Sequence, residues 1–543
     1  MKQNLSNMTF SKCLADILEN NKITDICICP GSRNTSLNIA FLNNSYFNCK
    51  SHIDERAAAF FSLGVAKESL EPSVIVTTSG TAVANLLPAV IEADLSTTPL
   101  IIISADRPNY LHKIGENQTI EQKNILDNFV RESIHVEIST MNYKTVFKKI
   151  QDIISLCKGV ESKNPPGPIH INIAFDEPLV DRKYSKRINP KKIIHKIKNS
   201  RFTIPNCKRP LIICGKSDNE FGIDQIIELS KKLNAPILAD PLSNLRYNHK
   251  HENILSFYDF FIEKLKPYPD YIIRIGKKPV SKKLNQLLKK LVNKTILLTK
   301  YNGYNDDANA IYIQNLKNIK INNKANDKWI RNNQKLNQVI DDKMNNYLNQ
   351  NHYYEGNVIN HCLKKFNHND NLFIGNSLCV RNLENYCPNM NKKINVYSNR
   401  GASGIDGIIA TAIGIAYKNK AKTNLIIGDI SFFYDSNSIL IAQNHKIDIN
   451  IIIINNNGGQ IFNKLPYAKD NIKGFKEFWT TPINLSIKKI SQVYKTNYSI
   501  INSIKKIDTK LDTILKKPGI NIIEIVCDFK KTLKIEEQIK KEI

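Results

Sequence analysis

The chain has 543 residues, with Lys+Arg 77 against Asp+Glu 50, a formal net charge of +27, and a hydrophobic share of 42%. That share is enough to bury several cores, which excludes wholesale disorder, and at about 150 residues per domain the length predicts three domains or four. Residues 1–22 mix Lys2, Asn4, Ser6, Asp16 and Glu19 into every apolar stretch, so no secretory leader is expected. Runs such as Ile451–Ile454 fall far short of the ~20 residues that cross a bilayer, so a soluble, cytoplasmic protein with no membrane insertion is expected. The cysteines number 11, are scattered and form no CxxC pair. Buried reduced thiols fit that pattern better than a disulfide framework or a zinc site. The positive surplus is spread along the chain, as in 317–324 (KNIKINNK), and no basic patch interleaved with aromatics occurs. Nucleic acid is therefore not expected as a partner. A generally basic surface favours small anions.

In chain order, Thr9 can cap a helix whose apolar positions Phe10, Cys13, Leu14, Ile17 and Leu18 recur at helical spacing. Asp25–Cys29 reads as a buried strand stopped by Pro30-Gly31. Ser73–Thr78 reads as a second strand, running into Ser79-Gly80-Thr81 and a helix Ala82–Ala93. Pro99–Ala105 reads as a third, ending at Asp106-Arg107-Pro108. Strands alternating with helices, with polar turns at the strands' carboxyl ends, predict a parallel doubly wound sheet, and ligands collect at those ends. Residues 181–203 are basic and poor in core residues, as a linker would be. A second block follows, with strands expected near 210–214, 236–239 and 270–275. The Asn/Lys-rich stretch 316–350, with sparse Trp329, Leu336 and Ile340, reads as a connecting helix. A third block starts at Leu372–Gly375, with strands expected near 394–398, 424–427, 449–454 and 520–526. The expected fold is α/β: three tandem doubly wound parallel-sheet domains over 1–182, 183–350 and 351–543, without a short-period repeat.

The strongest local chemistry lies in the third block. Strand 424–427 leads into Gly428-Asp429-Ile430-Ser431, and strand 449–454 leads into Asn455-Asn456-Asn457-Gly458-Gly459. Two neighbouring strands that each present an oxygen ligand at the carboxyl edge suit a small hard cation such as Mg²⁺, completed by a backbone carbonyl and phosphate oxygens. Taken alone, the two turns are also what ordinary strand–helix connections look like, since Asp and Asn are common there.

Gly428-Asp429 followed by Asn455-Asn456 resembles the diphosphate-binding signature of thiamine-diphosphate enzymes, with Ile430 where a third glycine is usual. The resemblance implies that Asp429, Asn456 and the carbonyl of Gly458 ligand Mg²⁺ (or Mn²⁺), with Gly428 and Ser431 beside the diphosphate. It also implies a carboxylate against N1′ of the aminopyrimidine. Residues 51–67 (SHIDERAAAFFSLGVAK) place Glu55 at the start of a helix in the first block, where that family has its glutamate. A lone carboxylate in a first helical turn is ordinarily only a favourable dipole contact. His52, just before it, reads as structural.

Further segments narrow the family: 30–37 (PGSRNTSL), 76–93 (VTTSGTAVANLLPAVIEA), 105–122 (ADRPNYLHKIGENQTIEQ), 376–381 (NSLCVR) and 399–407 (NRGASGIDG). Together with 236–246 and 274–284 they resemble the 2-succinyl-5-enolpyruvyl-6-hydroxy-3-cyclohexene-1-carboxylate synthase family of menaquinone biosynthesis, from about residue 9 to about 480. That family joins 2-oxoglutarate to isochorismate with loss of CO₂. Planar, bidentate arginines suit such polyanions. The resemblance implies that Ser377 and Arg381 hold the distal carboxylate of the succinyl unit. Ser32, Arg33, Arg107 and Lys282, with Lys283 beside it, would receive isochorismate. Asn117 and Gln118 would bond substrate oxygens, Arg400 would line the cavity, and Ile461 and Phe462 would form an apolar wall. Glu55, Gln118 and Arg400 are the catalytic candidates. Lys283 stands where many members have Arg, and Thr481-Pro482-Ile483 lacks a histidine that often follows Thr-Pro. A homodimer at minimum is implied, with a homotetramer as the larger form, and with Glu55 and the diphosphate site facing each other across subunits. Two rivals stay open: another thiamine-diphosphate carboligase, such as one making acetolactate, and a protein that keeps the fold without catalysis.

Overall fold

The computed structural model describes residues 5–159, 164–180, 200–216, 220–247, 251–301 and 306–543. The first sheet contains β1 (Asp25–Ile28), β2 (Asn48–Ser51), β3 (Ser73–Thr77), β4 (Leu100–Asp106), β5 (Ser133–Glu137) and β6 (Ile169–Ala174). Its order is β2-β1-β3-β4-β6-β5, parallel throughout. After β7 (Phe202–Ile204) comes the central sheet: β8 (Pro210–Cys214), β9 (Ile237–Ala239), β10 (Ile254–Leu255), β11 (Tyr271–Ile275), β12 (Thr295–Thr299) and β13 (Asn309–Tyr312). Its parallel order is β10-β9-β8-β11-β12-β13. β14 (Ile319–Ile321) pairs with β7 alone.

The third sheet holds β15 (Asn371–Ile374), β16 (Asn395–Tyr397), β17 (Thr423–Gly428), β18 (Ile449–Asn455), β19 (Asn497–Ile501) and β20 (Ile520–Val526). Its parallel order is β16-β15-β17-β18-β20-β19. The expected three parallel-sheet α/β architecture is therefore the observed one. Parallel strands have both faces covered and so read as near-continuous apolar runs. β18 and β20 show this, with Ile451–Ile454 and Ile522–Ile523 all at 2% exposure or less.

One row across the third sheet breaks the apolar pattern. Asn424, Asn450 and Asn521 sit opposite one another on β17, β18 and β20, all fully buried. Asn521 Nδ2 donates to Asn450 Oδ1 at 2.8 Å, and Asn450 Nδ2 donates to Asn424 Oδ1 at 2.7 Å. Asn497 on the edge strand donates to Asn521 Oδ1 at 2.9 Å, extending the row. Each amide offers a donor and an acceptor, so a file of them satisfies its own polarity without water.

Four sequence expectations are corrected. The first helix, Asn7–Asn20, is capped by Ser6, whose Oγ accepts from Thr9 N at 3.2 Å, so Thr9 lies inside the helix and does not cap it. The helix expected over 82–93 is two helices, Thr81–Ala84 and Leu87–Leu95, with Pro88 in the first turn of the second. Proline lacks an N–H and its ring crowds the carbonyl four residues back, so one continuous helix cannot pass through it. The connecting helix expected over 316–350 is confined to Asp327–Asn349, opened by Asn326, whose Oδ1 accepts from Lys328 N at 2.8 Å. The alternating Ile319-Lys320-Ile321 ahead of it is strand. Of the expected linker, 181–199 lie outside the described residues, and Phe202 and Thr203 belong to β7.

The chain forms two compact units. One holds the first sheet with segments Asn399–Lys420 and Asp435–Ile447; the other holds the central and third sheets. Within the first unit, helices Glu55–Ser69 and Ile408–Lys418 cross at Gly64 and Gly414. A Cβ on Gly64 would lie 2.1 Å from the carbonyl oxygen of Thr411, so these backbones touch directly. All eleven cysteines are free, ten of them buried, as the sequence predicts. Among the described residues no helix is long and apolar enough to cross a membrane.

Candidate active site

At the carboxyl edge of the first sheet, the turns after β1, β3 and β4 interlock. Gly31 of the PGSR turn lies so close to Thr78 that a Cβ on it would sit 2.3 Å from the threonine Cβ. Gly80 has φ +83°, the left-handed region that glycine tolerates, and its N–H donates to Gln122 Oε1 at 2.6 Å. Arg107 crosses from β4: its Nη1 donates to Ser79 Oγ and, at 2.8 Å, to the carbonyl of Gln118. Gln118 Nε2 returns a bond to the Ser79 carbonyl at 3.1 Å. The structure thus brings Arg107, Ser79 and Gln118 together, while Asn117 and the side of Gln118 face solvent.

Arg107 is 7% exposed and its Nε has no hydrogen-bond partner. Burial, then the nearby positive charge of Arg33, lowers its pKa from the ordinary value. Arg33 itself donates through Nη1 to the Phe175 carbonyl at 3.0 Å and pairs with the exposed Glu177 at 3.3 Å. Ser32 is exposed beside it. A buried guanidinium with an orphaned N–H, beside a second guanidinium, makes a seat for an anion.

Behind this edge lies a buried polar network. Asp106 Oδ1 accepts from Arg107 N at 2.8 Å, and Asn172 Nδ2 donates to Asp106 Oδ2 at 2.7 Å. Ser104 Oγ joins Asn172 Oδ1 at 2.6 Å and His170 Nε2 at 2.7 Å. Burial pulls the His170 pKa down to about 3, so the ring stays neutral.

Glu55 begins the helix Glu55–Ser69, which Asp54 caps by accepting from Ala57 N at 3.2 Å. It is partly exposed, and its Oε2 accepts from Asn85 Nδ2 at 3.3 Å. A carboxylate there is favoured by the positive end of the helix. His52 is 3% exposed, and burial lowers its pKa from the usual value, which fits the structural role expected of it. Arg400 is half-buried in the same unit, in a turn fastened by a residue that the 76–93 segment contains but that has no site role assigned to it. Glu92, 2% exposed, accepts from Gly401 N at 3.0 Å and Ala402 N at 2.7 Å, and pairs with Lys67 at 3.3 Å.

In the second unit, the turns after β17 and β18 meet. Asp429, 4% exposed, accepts from Gly458 N at 2.7 Å and, through its other oxygen, from Ile430 N at 2.9 Å. Burial raises its pKa, and these N–H donors work against that. Gly458 has φ +119°, and a Cβ there would strike the Thr480 carbonyl at 2.2 Å. A Cβ on Gly428 would meet nothing, so this backbone borders open space that a diphosphate can fill. Ser431 is buried just beyond. Asn456 spends its Nδ2 on Glu355 Oε1 at 2.9 Å, leaving Oδ1 as the end able to accept or coordinate. One carboxylate, one amide oxygen and one carbonyl from a left-handed turn fit a hard divalent cation shared with phosphate. No group of three or more His, Cys, Asp or Glu side chains suited to a metal occurs among the described residues.

Ser377 precedes the helix Leu378–Tyr386 with φ +65°, and Arg381 Nη1 donates to its carbonyl at 2.6 Å, so these two expected partners do adjoin. Arg381 is exposed. Lys282 begins the helix Lys282–Lys290, exposed, whereas Lys283 is tied to the Asp259 carbonyl at 3.1 Å and to Glu263 at 2.8 Å. Ile461 and Phe462 lie half-buried in the helical turn Gln460–Lys464, the Phe462 ring against Gly459.

Residues 8–127 match the family model described as thiamine pyrophosphate enzyme, N-terminal TPP binding domain, and residues 379–525 match its C-terminal TPP binding domain. The chain is 31% identical to the 2-succinyl-5-enolpyruvyl-6-hydroxy-3-cyclohexene-1-carboxylate synthase of Oceanobacillus iheyensis, over 94% of this chain and 93% of that protein. It is 34% identical to the synthase of the same name from Staphylococcus aureus strain MSSA476, over 89% and 88%, and to that of Staphylococcus epidermidis, over 93% and 92%. In fold it is similar to benzoylformate decarboxylase from Polynucleobacter necessarius, with a TM-score of 0.71 at 15% identity, covering 96% of this chain and 99% of that one.

Proposed function

We propose, because the chain belongs to the 2-succinyl-5-enolpyruvyl-6-hydroxy-3-cyclohexene-1-carboxylate synthase family of thiamine pyrophosphate enzymes, that it decarboxylates 2-oxoglutarate and adds the succinyl unit to isochorismate. The addition is 1,4 and gives the product of that name and CO₂, in menaquinone biosynthesis. The observation that carries the reading is Arg107: a buried guanidinium with an unpartnered Nε, next to Arg33, on the sheet edge that also presents Glu55. An anionic co-substrate is what such an edge is built to take.

Thiamine diphosphate, when bound, would supply the thiazolium chemistry that accepts the electrons released in decarboxylation of a 2-oxo acid. Glu55 holds and moves the proton at N1′ of the aminopyrimidine. Asp429, the Asn456 oxygen and the Gly458 carbonyl hold Mg²⁺, or Mn²⁺ in its place, on the diphosphate, with Gly428 and Ser431 beside it. Ser377 and Arg381 grip the distal carboxylate of 2-oxoglutarate. Ser32, Arg33, Arg107 and Lys282 receive the carboxylates of isochorismate, with Lys283 as a weaker neighbour because Glu263 already engages it. Asn117 and Gln118 orient substrate oxygens, Arg400 offsets their charge, and Ile461 with Phe462 keeps water away. Fixed cations and donors of this kind need no reorganisation as charge moves. The domains are 1–182, 183–350 and 351–543, the assembly is a homodimer or homotetramer, and the location is cytoplasmic.

The test is to mix purified protein, Mg²⁺, thiamine diphosphate, 2-oxoglutarate and isochorismate, and to follow loss of isochorismate together with release of CO₂. Equimolar change in both is expected. Turnover of pyruvate alone, with isochorismate untouched, would transfer the reading to an acetolactate-forming carboligase.

A further inference from the structure

Glu355 opens the helix Glu355–Lys365, is 1% exposed, and belongs to none of the motifs that mark the site. Both its carboxylate oxygens are engaged by side-chain amides: Asn456 Nδ2 donates to Oε1 at 2.9 Å and Asn382 Nδ2 to Oε2 at 3.2 Å. A carboxamide has two unlike ends, and only its NH₂ can face a carboxylate. The contact therefore decides which way Asn456 points. Its main chain is held as well, since Gln460 Nε2 donates to the Asn456 carbonyl at 3.1 Å. Asn382 lies on the helix Leu378–Tyr386, next to Arg381, so one buried charge anchors both the Asn456 turn and the helix of Arg381.

We propose that Glu355 is a positioning residue for the divalent cation: it turns the Asn456 oxygen toward the metal and, through the polarised amide, strengthens that oxygen as a ligand. This rests on the reading that Asp429, Asn456 and Gly458 hold the metal. Groups that orient a metal ligand commonly govern metal affinity without touching the ion. Glutamine cannot replace Glu355, because it offers one acceptor and one donor where two donors converge. Either Asn456 rotates or Asn382 loses its partner.

The experiment titrates full-length protein with Mn²⁺ at saturating thiamine diphosphate, reading free Mn²⁺ by electron paramagnetic resonance. Glu355→Gln should weaken Mn²⁺ binding by about 10–100-fold, while Asn382→Ala, which leaves the Asn456 contact in place, should bind Mn²⁺ as wild type does. Thermal melting of each variant accompanies the titration. If Glu355→Gln does not fold, the reversed pair decides. Asn456→Asp, which sets two carboxylates face to face, should lose Mn²⁺, and adding Glu355→Gln should restore it, a rescue that a merely structural role does not give. Equal Mn²⁺ affinity in wild type and Glu355→Gln, equal weakening in Asn382→Ala, or failure of that rescue overturns the inference alone. Wild-type protein that takes up no Mn²⁺ with thiamine diphosphate overturns the cofactor reading and the inference with it.

Discussion

The first and third sheets are wired alike. Counting strands within each sheet, both run 2-1-3-4-6-5, yet their carboxyl edges carry opposite chemistry. The first edge gathers guanidinium, hydroxyl and amide groups: Arg33, Arg107, Ser79 and Gln118. The third presents oxygen: Asp429, Asn456 and the carbonyl of the positive-φ turn at Gly458. The central sheet shows the alternative wiring, 3-2-1-4-5-6, and at its switch point the turns after β8 and β11 touch. A Cβ on Gly215 would meet the Lys277 carbonyl at 1.6 Å, so these two backbones are in direct contact beside the place where such sheets usually take a ligand. The scaffold sets where a site can be, and turn residues decide which groups its edge presents.

That contrast can be broken by separating the two edges in one assay. The largest effect is expected from Glu55→Gln, which should cut turnover by about 10³-fold, in the range of a lost acid–base group, while Mn²⁺ and thiamine diphosphate still bind. Asp429→Ala should fail at binding itself. If Glu55→Gln turns over like wild type, the first edge has no proton role.

The next effect sharpens the assignment of anions. Arg107→Ala and Arg381→Ala should each raise one KM by about 10–100-fold, the worth of a charge-assisted hydrogen bond. Arg107→Ala should act on isochorismate and Arg381→Ala on 2-oxoglutarate. Steady-state kinetics with each substrate varied in turn checks this, and an exchange of the two phenotypes would reverse the assignment.

The smallest effect concerns stability against pH. His170 keeps its ring neutral down to about pH 3, whereas an unfolded chain takes up the proton near the ordinary value of 6.5. Between those values the unfolded state binds the extra proton, so stability falls on acidification, by about 1.4 kcal/mol per pH unit. Hydrogen exchange of β4 and β6 amides, compared between pH 6.5 and 5, should show that loss in wild type and not in His170→Asn. The third sheet's buried amide row does not titrate and adds no such slope. Identical profiles in the two proteins would remove His170 as the cause.

The two candidate site edges are legible from sequence because turn residues at the ends of parallel strands have short, local signatures: Pro30-Gly31, Ser79-Gly80, Asp106-Arg107 and Gly428-Asp429 all fall where a hydrophobic run stops. Glu355 and Glu92 are not legible in that way. Each has a partner far along the chain, 101 and more than 300 residues away, and a solitary glutamate in a helix has no spacing to betray it. Pro88 does carry the signal that splits the helix expected over 82–93, and apolar periodicity alone conceals it. β14, three residues long, is too brief for any period to declare itself.

The asparagine file across β17, β18 and β20 has a consequence for assembly of the third sheet. Strands written almost wholly in isoleucine look the same after sliding by two residues, so packing alone would accept several alignments. A buried polar rung works as a notch: any slide leaves buried amides facing hydrocarbon, at about 1–3 kcal/mol for each unmatched group. The same rung resists piecemeal loss, since replacing one amide strands its neighbours. In a chain so rich in Asn and Ile, that notch turns a compositional habit into an alignment key.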